Sequence, residues 1–269
     1  MSVQKSRATR TSGSNRRELI AALVTEQGFC TVTELAQRLE VSEMTVRRDV
    51  SQLLEAGRIR TFHGGVSAVS PMEIVGTNYS ERNDAYARQK RAVAERAAAE
   101  VQPASVIAID AGTTMAHVAQ LLRSTDSKMT AITASLPVVT ALAPNSLVDL
   151  ICLGGILHPE SLSFAGPVTL AAIANLHIDM LFLAASGMGE RGAFCGNGFD
   201  AITKRALIDA ADRVVLVADS SKFSRTATVR ICGWDAIDEL IVDGGAQPDD
   251  LDRVRSAGVE VVIASSTDD

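Results

Sequence analysis

Apolar residues recur at helical spacing in the first quarter of the chain and form longer apolar runs in the rest. Residues 15–57 contain three short stripes in which apolar positions lie three or four apart, as on one face of a helix. Seven apolar runs follow, separated by helical patterns, and they read SVIAI, MTAIT, VDLICL, DMLFLAA, RVVLVA, DELIVD and VEVVIA. Runs of this kind are typical of parallel strands that helices cover on both faces. The pattern predicts a small helical domain followed by an α/β domain with a mostly parallel, Rossmann-like sheet.

Turn and capping residues divide the three stripes into three helices. Gly28 and Gly57 are placed to end the first and the third helix. Thr31 and Glu34 have the spacing of a capping box at the start of the second helix, and Ser42 can cap the third. The apolar positions of the three helices are Ile20, Leu23 and Val24; Leu35, Ala36 and Leu39; and Val46, Val50, Leu53 and Leu54. Three short helices with such close turns predict a helix-turn-helix unit.

The third helix has a polar face that begins in its first turn. Positions away from its apolar stripe include Met44, Thr45 and Arg48, with Arg47 at the border. A recognition helix presents such a turn to base edges in the major groove, while neighbouring arginines bind phosphates. The stretch RIRTFHGGV, residues 58–66, then alternates and turns on two glycines, as the wing of a winged helix would. The candidate DNA-binding residues are Thr33, Ser42, Met44, Thr45, Arg47, Arg48, Ser51, Arg60 and His63. The alternative is a solvated helix face on a small packing unit.

Local charge favours nucleic-acid binding by the N-terminal part. The whole chain has a formal net charge of −6. Residues 1–65 contain ten Lys/Arg and seven Asp/Glu, which is a net +3, so the remainder carries −9. Attraction to phosphate depends on local rather than total charge. The two parts of the chain are therefore expected to have different partners.

Composition and pattern together predict four segments. Residues 1–14 are rich in Ser, Thr and Arg without any acid, so we expect a disordered basic tail. A transit peptide shares that composition, but a structured pattern begins almost at once. The winged helix-turn-helix is predicted for residues 15–68, a linker for 69–85 and the α/β domain for 86–269.

Several classes of protein are disfavoured by the sequence. The four cysteines stand far apart without a C-x-x-C pair, and the four histidines have no metal-ligand spacing, so neither a disulfide framework nor a metal site is expected. No apolar run approaches the roughly 18 residues of a membrane span, and the first residues lack the apolar core of a secretory signal. We expect a cytosolic protein without membrane contact.

Glycine, hydroxyl and charged residues follow several predicted strands. In an open parallel sheet a ligand sits at the carboxyl ends of the strands, and a helix N-terminus there binds anions. IDAGTTMAHVAQLL puts Asp110, Gly112 and Thr113 at such a place. The candidate effector-binding residues are Asp110, Gly112, Thr113, Thr114, Thr133, Ser135, Gly154, Gly155, Asp200, Lys204, Asp219 and Lys222. Each one alone is more often a cap or a turn, but several at one edge favour a phosphorylated small ligand.

Two parts of the chain resemble one known family. VTELAQRLEVSEMTVRRDVSQLLEAGRIRTFHGGV is similar to the N-terminal signature of the DeoR family of bacterial transcriptional regulators. The family's motif falls on Ser42, Thr45, Arg47, Arg48, Asp49, His63, Gly64 and Gly65. The D-x-GTT, GG and D-x-S-K elements of its effector domain fall on Asp110 to Thr114, Gly154 to Gly155 and Asp219 to Lys222. Asp49 is more plausible as a partner that orients an arginine than as a base reader, because phosphate repels a carboxylate.

The resemblance implies a function and an architecture. Members of the family are typically repressors of carbohydrate or nucleoside catabolism genes, and a phosphorylated sugar bound to the effector domain alters their affinity for the operator. That domain is related in fold to ribose-phosphate isomerases. The chain departs from the family at Ala134, where Asn is common, and at Asp200, where Glu is usual. These departures change groups that could bind a sugar hydroxyl or a phosphate.

Two other functions have partial support in the sequence. LFLAASGMGERG contains G-x-G-x-x-G at Gly187, Gly189 and Gly192, but a second Gly-rich stretch precedes the next helix, so we expect a flexible loop flanking the pocket and no dinucleotide cofactor. A sugar-phosphate isomerase with a DNA-binding appendage would need a carboxylate base with a lysine. The aspartates named above could supply the base. The regulator is the preferred interpretation, and a homodimer or homotetramer is expected because one module contacts little operator DNA.

Overall fold

The structure is a computed structural model that describes residues 13–27, 29–39, 41–55, 59–62, 65–68, 79–225 and 227–265. The chain divides after Glu73 into two compact units, each with its own core. Within the described ranges, none of the helices has both the length and the apolar character needed to cross a membrane.

The N-terminal unit is a winged helix-turn-helix, as the sequence predicts. Its elements are α1 (Gly13–Gln27), β1 (Phe29–Thr31), α2 (Val32–Arg38), α3 (Glu43–Glu55), β2 (Ile59–Phe62) and β3 (Gly65–Ala68). The three strands form an antiparallel sheet in the order β1-β3-β2, with Phe62 opposite Gly65 in the wing hairpin. The helix starts at Gly13, two residues inside the tail that was expected to be disordered.

Local sequence accounts for the helices of this unit. The backbone N–H of Glu34 donates to Thr31 Oγ1 at 3.1 Å, and the N–H of Thr31 donates to Glu34 Oε2 at 2.8 Å, so the capping box is present. Val46 and Leu53 are buried in the core, whereas Leu54 is 43% exposed and does not belong to the buried stripe as predicted. Residue 54 lies eight positions after Val46, which rotates it by about 80° from that residue around the helix.

The second unit is the predicted α/β domain. Its helices are α4 (Tyr79–Asp84), α5 (Ala87–Ala98), α6 (Thr113–Leu122), α7 (Leu136–Leu142), α8 (Pro167–Ile173), α9 (Gly198–Asp209) and α10 (Pro248–Ser256), with single 3₁₀ turns at Ser220–Lys222 and Trp234–Ala236. Its strands are β4 (Val106–Ile109), β5 (Met129–Thr133), β6 (Val148–Cys152), β7 (Ile156–His158), β8 (Ser163–Ala165), β9 (Met180–Leu183), β10 (Gly187–Gly189), β11 (Gly192–Cys195), β12 (Val214–Ala218), β13 (Val229–Cys232), β14 (Glu239–Asp243) and β15 (Glu260–Ala264). All seven predicted strands pair in parallel in one sheet, in the order β15-β14-β12-β9-β4-β5-β6.

The strand order creates a crevice near the middle of the sheet. From β4 the chain proceeds through β5 to β6 at one edge, then returns to β9 on the other side of β4 and continues to β15. The loops that follow β4 and β9 therefore lead in opposite directions. In open α/β sheets, ligands bind at such a switch point, outside the carboxyl ends of the strands.

Two expectations about connecting segments differ from the structure. Residues 79–84, inside the predicted linker, form α4, which contacts α6. A hydrogen bond from Arg82 Nη2 to the carbonyl of Glu160, at 2.8 Å, attaches α4 to the loop between β7 and β8. The sequence pattern does not reveal this because the partner is 78 residues away. The G-x-G-x-x-G segment is a β-hairpin, not a loop, with Gly189 opposite Gly192. Gly192 has a φ of 110°, and a Cβ there would lie 2.1 Å from the carbonyl oxygen of Cys232, so the glycine lets β13 pack closely.

Candidate functional site

The polar face of α3 is exposed, as the recognition-helix interpretation requires. Met44 is 77% exposed, and the side chains of Arg47 and Arg48 also lie in solvent. The backbone N–H of Thr45 donates to Ser42 Oγ at 3.3 Å, so Ser42 caps α3. The N-terminal turn of α3 is thereby fixed with its side chains outward.

Several predicted DNA-binding side chains already have partners within the unit, among them Ser42 and Thr45, whose hydroxyl oxygens lie 2.9 Å apart. Thr33 Oγ1 donates to Glu43 Oε1 at 2.8 Å, and Ser51 Oγ donates to the carbonyl of Arg47 at 3.0 Å. Arg47 Nη2 lies 3.7 Å from Glu43 Oε2. These contacts are exposed and therefore weak. A DNA phosphate could replace them at little cost.

A buried carboxylate connects α3 to the arginines of α1. Asp49 is 3% exposed, with Arg16 Nε at 2.5 Å from its Oδ2 and Arg17 Nη1 at 3.8 Å from its Oδ1. The expectation that Asp49 orients an arginine fits this geometry. The arginines that it orients, Arg16 and Arg17, lie on α1 and are not among the DNA-binding residues predicted from the sequence. The two consecutive arginines at the start of the first predicted helix were the available signal.

An open groove of about 490 Å³ lies between α1 and α3. Its lining residues are Arg16, Arg17, Met44, Thr45, Arg48, Asp49 and Gln52. Arg17 Nη1 donates to Gln52 Oε1 at 2.7 Å on one side of it. Three guanidinium groups around a single carboxylate give this groove a positive charge, which suits the DNA backbone. Of the predicted wing residues, Arg60 lies in β2, while His63 falls outside the described residues.

The second unit has a pocket at the switch point of the sheet. It has a volume of about 60 Å³ and is bounded by the loops after β4, β9 and β12 and by the start of α9. The lining residues are Arg82, Ala85, Tyr86, Lys90, Ala111, Gly112, Thr113, Thr114, Ser161, Ala184, Ala185, Ser186, Asp200, Lys204, Lys222 and Arg225. The lining is polar and contains five basic side chains.

A buried ion pair forms the base of this pocket. Asp110 Oδ2 accepts hydrogen bonds from Lys204 Nζ and from the backbone N–H of Ala184, the latter at 2.9 Å. Asp200 Oδ1 lies 3.7 Å from the same ammonium group. Burial disfavours the charged form of Lys204, but Asp110 and Asp200 outweigh that effect and hold the pKa of Lys204 above its ordinary value. Lys204 is therefore charged, and its ammonium group is paired with Asp110 and Asp200.

Four other cations line or border the same pocket. Lys90, Lys222, Arg82 and Arg225 lie close enough to influence one another electrostatically. Burial, with a further contribution from Lys222, lowers the pKa of Lys90 to about 8. Burial also lowers the pKa of Lys222, although its Nζ lies 3.4 Å from Asp219 Oδ2. The cluster has fewer negative partners than it has positive charges.

Two guanidinium groups in this cluster have buried nitrogens without an acceptor. Arg82 Nε and Arg225 Nη2 are buried and have no hydrogen-bond partner among the described residues. The Arg225 guanidinium carbon lies 5.1 Å above the centre of the Tyr86 ring, a cation–π contact. Buried donors are normally satisfied, so these two point to an acceptor supplied from outside the chain.

The N-terminus of α6 lines the same pocket. Gly112 caps this helix with a φ of 147°, and a Cβ there would lie 3.3 Å from Ala184 Cβ. The first amides of an α-helix have no acceptor within the helix and carry a partial positive charge. Thr113 and Thr114 therefore bring both amide and hydroxyl groups to an anion in the pocket.

The pocket brings together part of the predicted effector set. Gly112, Thr113, Thr114, Asp200, Lys204 and Lys222 line it, and Asp110 and Asp219 lie behind it in ion pairs. Thr133, Ser135, Gly154 and Gly155, all described, are not part of this lining. They lie at or just after the ends of β5 and β6, which β4 separates from the switch point. Thr133 Oγ1 donates to the carbonyl of Ile109 at 2.6 Å, and Thr169 Oγ1 donates to the carbonyl of Gly154 at 2.7 Å.

Sequence reasoning missed three of the basic lining residues. Arg82 falls in the predicted linker, and Arg225 follows the D-x-S-K element without a motif of its own. Lys90 did carry a signal, because it lies three, four and seven residues before the buried Val93, Ala94 and Ala97. A lysine on the apolar stripe of a helix is buried or functional, and this one is 2% exposed.

Comparison with known proteins gives the same division of the chain. Residues 85–244 match the DeoR C-terminal sensor domain, and residues 16–72 match the DeoR-like helix-turn-helix domain. The chain belongs to the DeoR family. The resemblance seen in the sequence motifs is thereby confirmed, and so is the order of the two domains.

Relatives from this family span almost the whole chain. A candidate aga operon transcriptional repressor of Escherichia coli O157:H7 is 34% identical over 255 residues, which is 94% of each chain. The L-fucose operon activator of Haemophilus influenzae is 31% identical over 88% of this chain and 94% of its own. The glycerol-3-phosphate regulon repressor of Escherichia coli K12 is 31% identical over 86% and 90%. These relatives are named as regulators of sugar-related operons or of a glycerol phosphate regulon, and both repressors and an activator occur among them.

Solved structures give a weaker likeness. Ribose 5-phosphate isomerase A from Neisseria gonorrhoeae aligns over 51% of this chain and 53% of its own, with 18% identity and a TM-score of 0.38. The ribose 5-phosphate isomerase A of Methanocaldococcus jannaschii covers the same shares with 19% identity and a TM-score of 0.37. Scores of this size carry no argument about function.

Proposed function

We propose that the chain is a DNA-binding transcriptional regulator, a repressor of carbohydrate or nucleoside catabolism genes, whose operator affinity is controlled by a phosphorylated sugar. Membership of the DeoR family and the exposed, basic groove of the N-terminal unit support DNA binding. The relatives named for the aga operon and the glycerol-3-phosphate regulon support the class of genes.

One observation carries the proposed ligand. Arg82 Nε and Arg225 Nη2 are buried without acceptors beside the N-terminus of α6. Counting Asp110 and Asp219 behind the lining, the pocket has five basic and three acidic side chains, a net +2. A phosphate monoester carries about −1.5 to −2 at pH 7 and has three acceptor oxygens. Such a group matches both the excess charge and the unsatisfied donors.

The remaining polar groups suit the sugar. Ser161, Ser186 and Asp200 also line the pocket, and each can bind a hydroxyl group. Asp200 is a shorter acid than the glutamate usual in the family, which leaves room for a larger ligand at that point. We assign the phosphate to the basic side chains and the sugar hydroxyls to these three residues.

The sensor unit acts by binding and not by catalysis. An isomerase needs a carboxylate that is free to take a proton from its substrate. Asp110 accepts hydrogen bonds from Lys204 and from the Ala184 amide. Asp219 faces Lys222 and the hydroxyl of Ser221, and Asp200 Oδ1 lies 3.7 Å from Lys204 Nζ. The relatives are named as regulators, which supports the same conclusion. Incubation with ribose 5-phosphate and with glucose 6-phosphate should give no isomerised product.

The test is operator binding measured by fluorescence anisotropy at one stated salt concentration. The DNA is the region upstream of the protein's own gene, and the additives are sugar phosphates paired with the corresponding free sugars. We expect one phosphorylated sugar to change the affinity while its free sugar does not. Specific binding that no sugar phosphate alters would contradict the proposed effector, and an absence of specific binding would contradict the operator.

A further inference from the structure

An apolar surface lies on the sensor unit beside the pocket. It is formed by β7, α8 and the start of α9, and we refer to it as the α8–α9 face. Its exposed large apolar residues are Ile156 (64% exposed), Val168 (64%), Phe199 (36%) and Ile202 (50%). Single exposed apolar residues are ordinary, but a contiguous group of four marks a contact site.

These residues are neighbours in space. The side chain of Ile156 lies over Gly166, since a Cβ there would be 3.5 Å from Ile156 Cδ1. Gly166 immediately precedes α8, which carries Val168. On the other side, the rings of His158 and Phe199 stack with their centroids 3.5 Å apart and 10° between their planes. Helices α8 and α9 contact each other. The hairpin therefore joins both helices into one surface.

The charge pattern favours an identical partner. The segments of β7, β8 and α8 read ILH, SFA and PVTLAAI, and they contain no Lys, Arg, Asp or Glu. In a two-fold contact the same patch lies on both subunits, so any charge near the axis meets its own copy and is destabilising. An uncharged apolar patch meets itself without that penalty. Depletion of charge at the core, with a polar rim, is typical of such interfaces.

We infer that the α8–α9 face is a two-fold contact between two copies of this chain. The inference rests on the proposed function, because a regulator that reads an operator through one small recognition helix needs a second copy on a second half-site. Four large apolar side chains are a suitable centre for an interface of about 800 Å² per partner. Glu160 follows β7, is exposed, and provides a polar group for the rim.

The contact is tied to the ligand pocket through two elements. Helix α9 places Phe199 and Ile202 on the α8–α9 face, and Asp200 and Lys204 in the pocket. The loop between β7 and β8 holds Arg82 through the carbonyl of Glu160. An anion that binds Arg82 can therefore shift the β7–β8 loop, which lies next to the α8–α9 face. Ligand binding is expected to change how strongly the two copies associate.

The experiment compares Ile202→Glu with Ile263→Glu in the full-length protein. Ile263 lies on the edge strand β15 and is 49% exposed, so the two substitutions add the same charge at equal exposure. Mass in solution is measured by light scattering after size exclusion, over a range of concentrations. Thermal unfolding checks that each variant is folded, and Val168→Glu provides a second substitution on the same face.

We expect a dimer or larger species for the natural sequence and for Ile263→Glu, and a shift to monomer for Ile202→Glu and Val168→Glu. The inference would be overturned if the folded Ile202→Glu and Val168→Glu proteins both kept the mass of the natural sequence. It would also be overturned if the natural sequence were a monomer, or if Ile263→Glu dissociated as much as the two α8–α9 variants. Operator binding by anisotropy separates this from the proposed function. If the natural sequence binds its operator specifically while the α8–α9 variants keep their mass, only the contact surface is wrong.

Discussion

Lys204 and Arg225 are both basic and both buried in the sensor unit, yet their surroundings differ. Lys204 is paired with Asp110 and lies near Asp200, so its charge is compensated within the chain. Arg225 is 7% exposed, and its Nη2 has no acceptor among the described residues. A buried charge without full compensation is costly. The first residue therefore stabilises the pocket, and the second is available to a ligand.

Replacement of Arg225 tests this difference at the residue scale. Arg225→Ala should weaken binding of the phosphorylated effector by about ten- to a hundredfold, since a hydrogen bond to a charged group contributes about 1.5–3 kcal/mol. Arg225→Lys keeps the charge but lacks the planar guanidinium group, so its affinity for the effector should lie between those of the natural sequence and Arg225→Ala. Calorimetric titration gives the affinities, and operator binding without effector should stay at the natural level. Equal affinity in Arg225→Ala would exclude this residue from the site.

The pKa of Lys90 predicts a pH dependence. Its folded-state pKa of about 8 is lower than that of a free lysine, so the side chain loses its charge as pH rises through 8. The phosphate, with a second pKa near 6, stays dianionic over that range. Effector affinity should fall by about tenfold between pH 7 and pH 9 if only the charged lysine binds. Lys90→Arg should flatten the decline, because arginine remains charged; a decline of the same size in that variant would assign it to another group.

At the scale of elements, α3 is positioned by contacts that it makes with its neighbours. Its apolar residues pack into the core of the N-terminal unit, and Asp49 binds the arginines of α1. Ser42 fixes its first turn. The consequence is that Arg48 and Met44 face outward from a rigid helix. Preorganised side chains lose less entropy on binding than flexible ones.

Arg48→Ala tests α3 as the DNA-reading element. The variant should bind the operator more weakly, and the slope of log affinity against log salt should decrease by about 1 if Arg48 contacts a phosphate. Arg88→Ala is the matched control, because Arg88 is an exposed arginine of the sensor unit. Anisotropy at several salt concentrations measures both variants. Equal losses in the two would mean that total charge, and not α3, determines binding.

At the scale of the whole molecule, the sensor pocket is built from segments that are far apart in sequence. Arg82 and Lys90 precede the sheet, Gly112 follows β4, and Lys222 and Arg225 follow β12. The order of the strands brings the loop after β4 and the loop after β12 to the same crevice. The N-terminal unit has its own core, and the described residues that line this pocket belong to the sensor unit.

Ligand binding should therefore stabilise one unit more than the other. At an effector concentration of 100 times Kd, the free energy of unfolding of the sensor unit should rise by about 2.7 kcal/mol. The N-terminal unit should unfold at an unchanged temperature, because it has no part of the pocket. Calorimetry, with near-UV circular dichroism of the single Trp234 in the sensor unit, distinguishes the two transitions. An equal shift in both would indicate that the units unfold together.

The three N-terminal helices and the seven strands of the parallel sheet could be predicted from the sequence because their signals are local. The capping box at Thr31, the apolar stripes of three helices and the seven apolar runs each involve residues close together in the chain. The loop after β4 could be predicted as an anion site for the same reason, since Gly112 and Thr113 directly follow a strand and begin a helix.

The site could be predicted only in part. Gly154 and Thr133 also lie at strand ends, as Gly112 does, but β4 separates β5 and β6 from the switch point. Arg82 and Arg225 have no local pattern, and their importance comes from buried nitrogens that neighbouring segments leave without acceptors. The sequence by itself determined the three helices of the N-terminal unit, the seven strands of the parallel sheet and the family. Only the tertiary structure decided which strand ends meet and which charges are compensated, because both depend on contacts between residues far apart in the chain.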